Sequence, residues 1–287
     1  MFDKNSKIVV LGAKGMLGTD LMAALCRRGY QPEGLDLPEF DICDDEQLST
    51  AVNHAEAVIN CAAYTNVEKA ESEPETAYTV NAEAVGSLGR AAAEKGVPVI
   101  HISTDFVFDG ELDRPYTEED ETNAVSVYGA SKLAGEENLL ESGAQAFIMR
   151  VEWTYGHAGN NFVKKLLELA KQRDSLKVVD DQVGAPTATA EAAGAICRIL
   201  ELDREFPEGI YHFAADGYVS RYEMAKYIFE TIGLDTEILP CSSSEFPTAA
   251  ERPLNSCFDC SKIERLMGEK IKPWQEPLRE FLVRRKS

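Results

Sequence analysis

The chain has 287 residues, 44% hydrophobic and 27% charged, and its 49 acidic against 29 basic side chains leave a formal net charge of −20. That balance excludes a nucleic-acid partner, whose binding rests on neutralising phosphates. No apolar run approaches the length of a membrane span and Met1-Phe2-Asp3-Lys4 lacks a signal-peptide pattern, so a cytoplasmic protein away from membranes is expected, with one large α/β domain and a smaller lobe.

The first expected element is a buried strand at residues 7–11, an apolar run rich in β-branched residues. Gly12-Ala13-Lys14-Gly15-Met16-Leu17-Gly18 follows at once, and residues 19–28 read as a helix. Strand, glycine turn and helix in that order suit a dinucleotide. Gly12 allows the tight turn, Gly15 the approach of a pyrophosphate and Gly18 close helix–strand packing. The helix N-terminus offers free N–H groups and a positive dipole end to the phosphates. The spacing is one residue longer between the first two glycines than in the commonest fingerprint. A second strand, at residues 31–35, ends at Asp36, an acid that suits a ribose 2′-OH and disfavours a 2′-phosphate. Lys14 and Arg27 are cations near enough in sequence to offset such a phosphate. The balance leans to NADH, with NADPH open.

Residues 57–60 read as a third strand and residues 74–94 as a long helix, with Pro74 at its start and Gly96 just past its end. A fourth strand is expected at residues 97–103 and a fifth at 146–150. Between them lies a helix headed by Tyr128 and Lys132 that runs to about residue 140. The acidic run at residues 109–121 reads as a solvated loop. Regular βα alternation implies a Rossmann-type, doubly wound parallel sheet with helices on both faces. Ligands in such sheets bind beyond the carboxyl ends of the strands. Three polar clusters fall at those ends: residues 60–66, Thr104-Asp105 and residues 153–161.

After about residue 150 the pattern changes. Helices are expected at residues 161–173, 191–201 and 223–232, a short strand at 176–180, a further sheet strand at 209–214, and a tail richer in turns beyond Pro240. The expected division is a nucleotide-binding domain at residues 1–150, its sheet completed by about residues 190–215, and a partly interleaved substrate lobe at residues 151–287. The seven cysteines are an odd number, and Cys26, Cys61 and Cys197 sit in apolar segments, which fits reduced thiols in a cytosol. Cys257 and Cys260 form the one close pair. A zinc site needs two more ligands that the sequence does not offer, so the pair reads as structural.

Tyr128 and Lys132 stand four residues apart and so share one helix face. A phenol beside an ammonium makes a proton donor, and Lys132 is expected to pull the Tyr128 pKa down from about 10 toward working pH. The spacing alone is commonplace. It gains meaning from the glycine turn at the other end of the same domain.

Together these motifs resemble the extended short-chain dehydrogenase/reductases, and within them the dTDP-4-dehydrorhamnose reductase family, over nearly the whole chain. The markers are the glycine turn, Asn60-Cys61-Ala62-Ala63-Tyr64-Thr65, Ser103-Thr104-Asp105-Phe106-Val107-Phe108-Asp109-Gly110 and Tyr128-Gly129-Ala130-Ser131-Lys132, followed by Arg150-Val151-Glu152-Trp153-Thr154-Tyr155-Gly156, Gly159-Asn160-Asn161-Phe162, Asp181-Gln182-Val183-Gly184-Ala185-Pro186-Thr187 and Arg252-Pro253. Each is modest alone, and their joint order is specific.

The resemblance implies reduction of the C4 ketone of dTDP-4-dehydro-L-rhamnose by NADH or NADPH. Thr104 would polarise the ketone oxygen, Tyr128 would protonate it, and Lys132 would hold the nicotinamide ribose. Gly12, Lys14, Gly15, Met16, Leu17, Asp36, Asp41, Ile42, Ala62, Ala63, Tyr64 and Thr65 would line the cofactor. Thr104, Asp105 and Trp153 would contact the dTDP-sugar. A homodimer and Mg²⁺ stay open, and the scattered acids single out no metal site.

Two departures bear on the sugar. Phe106 stands where many members carry tyrosine, and Glu152 places an acid near the expected sugar pocket. Two other readings use the same residues. An epimerase or dehydratase would keep its NAD bound, and Phe106, two residues after Thr104, argues against a dehydratase. A non-catalytic subunit resembling the regulatory subunit of methionine adenosyltransferase is disfavoured by the intact Thr104, Tyr128 and Lys132.

Overall fold

The computed structural model describes residues 2–284, so residue 1 and residues 285–287 of the expected division lie outside the described residues. The first half alternates as β1 (Ile8–Leu11), α1 (Met16–Arg27), β2 (Glu33–Leu35), α2 (Asp45–Asn53), β3 (Ala57–Asn60), α3 (Val67–Ala70), α4 (Pro74–Tyr78), α5 (Ala84–Lys95), β4 (Val99–Thr104), α6 (Val127–Glu141) and β5 (Ala146–Val151). The second half adds β6 (Thr154–Tyr155), α7 (Phe162–Ala170), β7 (Ser175–Val179), β8 (Val183–Gly184), β9 (Thr187–Ala188), α8 (Thr189–Leu200), β10 (Gly209–Phe213), β11 (Val219–Ser220), α9 (Arg221–Ile232), β12 (Glu237–Cys241), α10 (Ser261–Met267) and α11 (Gln275–Arg284).

Six strands form one sheet in the order β10-β5-β4-β3-β1-β2, every pair parallel. β1, β3 and β5 are buried at every residue, as strands covered by helices on both faces must be. One face packs Leu17, Leu21 and Leu25 of α1 with Ile196 and Ile199 of α8. The other packs Leu48 of α2 with Leu88 of α5 and Leu139 of α6. The registers Leu11 to Asn60, Asn60 to His101 and Thr104 to Val151 bring the carboxyl ends of β1, β3, β4 and β5 to one edge. The expected strand at residues 209–214 joins that sheet beside β5 as β10. A further core, including Leu176, Met224, Phe229, Trp274, Leu278 and Phe281, lies under β7, β12, α9 and α11.

Several expectations change in detail. α1 begins at Met16, directly after Gly15, because Gly18 sits inside its first turn against the Gly12 carbonyl. A Cβ at Gly18 would lie 2.1 Å from that oxygen. The long helix expected at residues 74–94 is α4 and α5 joined by a π-helical segment, Thr79–Glu83. That segment turns Asn81 inward, where it is buried and bonds the Tyr64 backbone and Ser131 Oγ. The sequence reading passed over α2, which Asp44 caps through the N–H groups of Glu46 and Gln47. The tail beyond Pro240 carries α10 and α11 where turns were expected. Of the three cysteines in apolar segments, Cys197 is buried, Cys61 partly buried and Cys26 exposed, and all are free thiols among the described residues. Cys257 is buried, and the Cys260 sulfur accepts the Ala214 N–H at 3.2 Å. Among the described residues no helix is long and apolar enough to cross a membrane.

Candidate active site

A cavity of about 890 Å³ opens at the carboxyl edge of the sheet. Gly12, Lys14, Gly15, Met16, Leu17, Asp36, Asp41, Ile42, Ala62, Ala63 and Thr65 line it together with Thr104, Asp105, Tyr128, Lys132 and Trp153. Tyr64 is the expected site residue that does not. Its hydroxyl turns away to donate to Glu73 at 2.7 Å, while its backbone is fixed by Asn81.

The nucleotide end is built from backbone. Gly12 has φ +73°, and a Cβ there would lie 2.6 Å from the Ala62 nitrogen, so only glycine fits. α1 follows Gly15 with no side-chain cap and no acid in its first turn, which leaves N–H donors free to meet an anion. Asp36 at the end of β2 accepts the Lys14 N–H at 2.7 Å and the Leu37 N–H at 2.8 Å. The Lys14 ammonium is engaged with Glu39 and the Leu37 carbonyl. Asp41 accepts the Cys43 N–H and donates its own N–H to Gln47, which fixes the wall at Ile42.

The central group hangs from β4 and α6. Ser126 caps α6 through the Gly129 N–H, so Tyr128 and Lys132 fall one turn apart at the head of the helix. Lys132 is 2% exposed, and its Nζ lies 2.7 Å from the Ile102 carbonyl and 3.1 Å from His101 Nε2. Burial pulls its pKa down to about 8. Tyr128 departs from the sequence reading. Burial, not the lysine, dominates its pKa and pushes it up to about 12, while the Thr104 hydroxyl beside it acts in the lowering direction. Phe106 meets the Tyr128 ring edge-on, with centroids 5.4 Å apart. Thr104 donates to Asp105 Oδ1 at 3.0 Å, and Ser256 donates to Asp105 Oδ2 at 2.5 Å. Asp105 is buried, which raises its pKa against those two hydrogen bonds.

Beyond Asp105 the chain makes a strained turn. Trp153 has φ +44°, a conformation disfavoured for a bulky side chain. Its indole packs over Gly184, where a Cβ would lie 2.6 Å from Cε2. The Arg221 guanidinium lies 3.4 Å from the Trp153 ring centroid. Glu152 stands beside Trp153 and Gly184, behind the wall of the cavity. It does not line the cavity and is fully buried. Neither carboxylate oxygen has a hydrogen-bond partner of good geometry among the described residues. Burial raises its pKa well above the usual carboxylate range, and neighbouring Asp105 adds to the rise.

Sequence reasoning missed several residues of the wall. Asn160 and Asn161 were expected only as part of the polar cluster at residues 153–161, and Phe162 and Arg252 only as motif residues, and all four line the cavity. Arg252 is held by Glu68 at 2.6 Å, which ties the chain after β12 to α3. Arg221 also lines the cavity. In the sequence it is only the residue after a helix-capping serine, and nothing there marks it.

The sequence matches the family described as the RmlD substrate binding domain over residues 6–286. It is 39% identical over 286 residues to a dTDP-4-dehydrorhamnose reductase of Sinorhizobium fredii, covering 96% of each chain. Among solved structures it is similar to a dTDP-4-dehydrorhamnose reductase of Clostridium acetobutylicum, with TM-score 0.93, 36% identity and coverage of 98% of this chain and 100% of that one. It is also similar to the enzyme of that name from Bacillus anthracis in complex with NADP, with TM-score 0.92, 35% identity and coverage of 98% and 99%.

Proposed function

The chain belongs to the RmlD substrate binding domain family, and on that footing we propose that it reduces the C4 ketone of dTDP-4-dehydro-L-rhamnose to the alcohol of dTDP-L-rhamnose with a nicotinamide cofactor. The observation that carries the reading is a single cavity lined both by the glycine turn with the uncapped start of α1 and by Thr104, Tyr128 and Lys132.

The residues at the nucleotide end suit the cofactor. Gly12 and Gly15 bring backbone close, the free N–H groups of α1 meet the pyrophosphate, and Ala62, Ala63, Thr65, Asp41 and Ile42 supply walls. When bound, the cofactor supplies the hydride that reaches C4. Thr104 turns its hydroxyl proton from Asp105 to the ketone oxygen and polarises it. Tyr128 gives its phenolic proton to the same oxygen, so the C=O becomes CH–OH with one hydride on carbon and one proton on oxygen. Its raised pKa keeps Tyr128 protonated and ready to act as the acid. Lys132 holds the ribose, and Asp105 and Trp153 position the sugar. Orientation of ketone and hydride donor contributes the rest of the rate.

Asp36 supports NADH, since a carboxylate at the end of β2 accepts from ribose hydroxyls and repels a 2′-phosphate. The NADP-bound Bacillus anthracis relative favours the second reading, NADPH. We further infer a nucleotide-binding part at residues 1–150, its sheet completed from residues 190–215, and a lobe at 151–287 that is mainly for substrate, supported by β10 beside β5 and by the separate core around Trp274. The test is absorbance of NADH or NADPH in the presence of the 4-keto sugar. No oxidation of either cofactor would sink the assignment.

A further inference from the structure

Four basic residues line the cavity: Lys14, Lys132, Arg221 and Arg252. Three are engaged. Lys14 is held by Glu39 and the Leu37 carbonyl, Lys132 by the Ile102 carbonyl and His101, and Arg252 by Glu68. Arg221 differs: among the described residues its side chain makes no hydrogen bond and no ion pair, and its contacts are aromatic. Its guanidinium carbon lies 3.4 Å from the Trp153 ring centroid and 5.0 Å from that of Phe162.

Stacking occupies the face of a guanidinium and leaves its five N–H donors in the plane. The neighbouring carboxylates do not take them. Asp105 spends its oxygens on Thr104 and Ser256, and Glu152 lies outside the cavity wall. The start of α9 fixes the base of Arg221, because Ser220 caps the helix in a reciprocal box with Glu223 and the Arg221 N–H is bonded to the Gln182 carbonyl. The platform under it is fixed as well, by the positive φ of Trp153 and the room left at Gly184. A cavity-facing fork of donors that no carboxylate hydrogen-bonds among the described residues, with Asp105 and Glu152 near enough only to act through their charge, is a receptor for a bidentate anion.

A nucleotide-sugar brings such an anion. The cofactor's pyrophosphate has its receptor at the N-terminus of α1, while among the described residues that line the cavity no other cation is left unengaged for the substrate's diphosphate. We propose that Arg221, presented on the ring of Trp153, holds the diphosphate of the nucleotide-sugar and sets the preference for a nucleoside diphosphate over the bare nucleoside. The proposal rests on the reading above that the substrate is a dTDP-sugar.

The experiment is calorimetric titration of the full chain with dTDP, thymidine and reduced cofactor, for wild type, Arg221→Gln and Arg221→Lys. Arg221→Gln should weaken dTDP binding about 10- to 100-fold, the change that one or two charge-assisted hydrogen bonds carry. Thymidine and cofactor affinities should stay as in wild type, and Arg221→Lys should fall between. Trp153 and Trp274 are the two tryptophans of the chain, so in a Trp274→Phe background emission reports Trp153 alone. Addition of dTDP should shift that emission with Arg221 present and leave it unchanged with Arg221→Gln. Equal dTDP affinity and an equal emission change in Arg221→Gln overturn the proposal, as does a matching loss of cofactor affinity. If Arg221→Gln binds none of the three ligands, Arg221→Lys decides: weakened dTDP with cofactor binding retained supports the proposal, and unchanged dTDP affinity overturns it. Turnover of the 4-keto sugar by wild type with Arg221→Gln indistinguishable from it removes this proposal alone. Tight dTDP binding through Arg221 without any turnover removes the reductase reading alone.

Discussion

Lys132 Nζ lies 3.1 Å from His101 Nε2 beneath the site, with the two side chains 2% and 0% exposed. The other ring nitrogen faces Asn60 Nδ2 at 3.1 Å, and Asn60 Oδ1 accepts the Ala62 N–H. Burial holds His101 well below its ordinary pKa, so the ring is neutral and has one donor and one acceptor. With Asn60 donating to Nδ1, the ring proton sits on Nε2 and faces Lys132. An ammonium there meets a donor, whereas a neutral amine accepts from Nε2 and still donates to the Ile102 carbonyl.

Burial of the ammonium makes Lys132 a cost to the fold at neutral pH. Its pKa falls from 10.5 to about 8, which corresponds to about 3 kcal/mol. Between those values the unfolded chain binds more protons, so stability rises with pH across the window and the penalty is fully present below about 8. Lys132→Met is therefore expected to raise Tm at pH 7 while abolishing reduction. The gain over wild type should shrink as pH rises from about 8 to 10.5. A variant no more stable than wild type at pH 7 would contradict this account.

Tyr128→Phe removes the acid and leaves the ring packed on Phe106. It should lower kcat by about 10²- to 10⁴-fold with Tm nearly unchanged. In wild type the alkaline limb of kcat/KM for reduction should follow Lys132, near pH 8, and not Tyr128, whose proton is held to about 12. A pH–rate profile flat to pH 10 would show that the lysine charge is not used. Full turnover in Tyr128→Phe would show that the phenol is not the acid, whereas full cellular function without turnover would point to a binding role for the chain.

The Rossmann half was legible because its signals are local: apolar β-branched strands, a glycine turn at the first junction, and i, i+4 spacing at the head of α6. What lay outside was set by contacts between distant residues. α10 and α11 bury Ile263, Met267, Leu278 and Phe281, but Gly268, Pro273 and Pro277 break the helical period that would announce them. Tyr64 turns away because Glu73, nine residues on, accepts its hydroxyl. Spacing placed Tyr128 beside Lys132 yet carried no information on burial, which outweighs the lysine. The inward turn of Glu152 was not legible, because it depends on the positive φ of Trp153 just after β5 ends, which no local pattern announces.

Asp36 should decide the cofactor. Its carboxylate is braced by the Lys14 and Leu37 N–H groups, so it cannot move aside without breaking both. Asp36→Ala is expected to raise the ratio of kcat/KM for NADPH over NADH at least about tenfold by removing both the ribose acceptor and the repulsion of a 2′-phosphate. Steady-state rates with each cofactor measure it. An unchanged ratio would place the discrimination elsewhere.

Glu152 offers a test of how the wall behind Trp153 is held. It is fully buried, its carboxylate lacks a well-formed hydrogen bond among the described residues, and the nearby amides of Ala185 and Phe258 only partly offset that burial. Burial shifts such a group toward its protonated form. Its folded pKa stands above the unfolded 4.5, so the native state binds more protons than the unfolded chain. The stability it contributes is complete below about 4.5 and is lost as pH rises toward the folded value. Glu152→Gln keeps the shape and an oxygen for the two amides but has no proton to lose. The variant should therefore gain on wild type as pH rises from 5 to 8, read as the difference in Tm between them. Since the side chain does not line the cavity, kcat for the 4-keto sugar should change by less than about threefold. A Tm difference that stays constant over that range would mean the carboxyl does not titrate with folding.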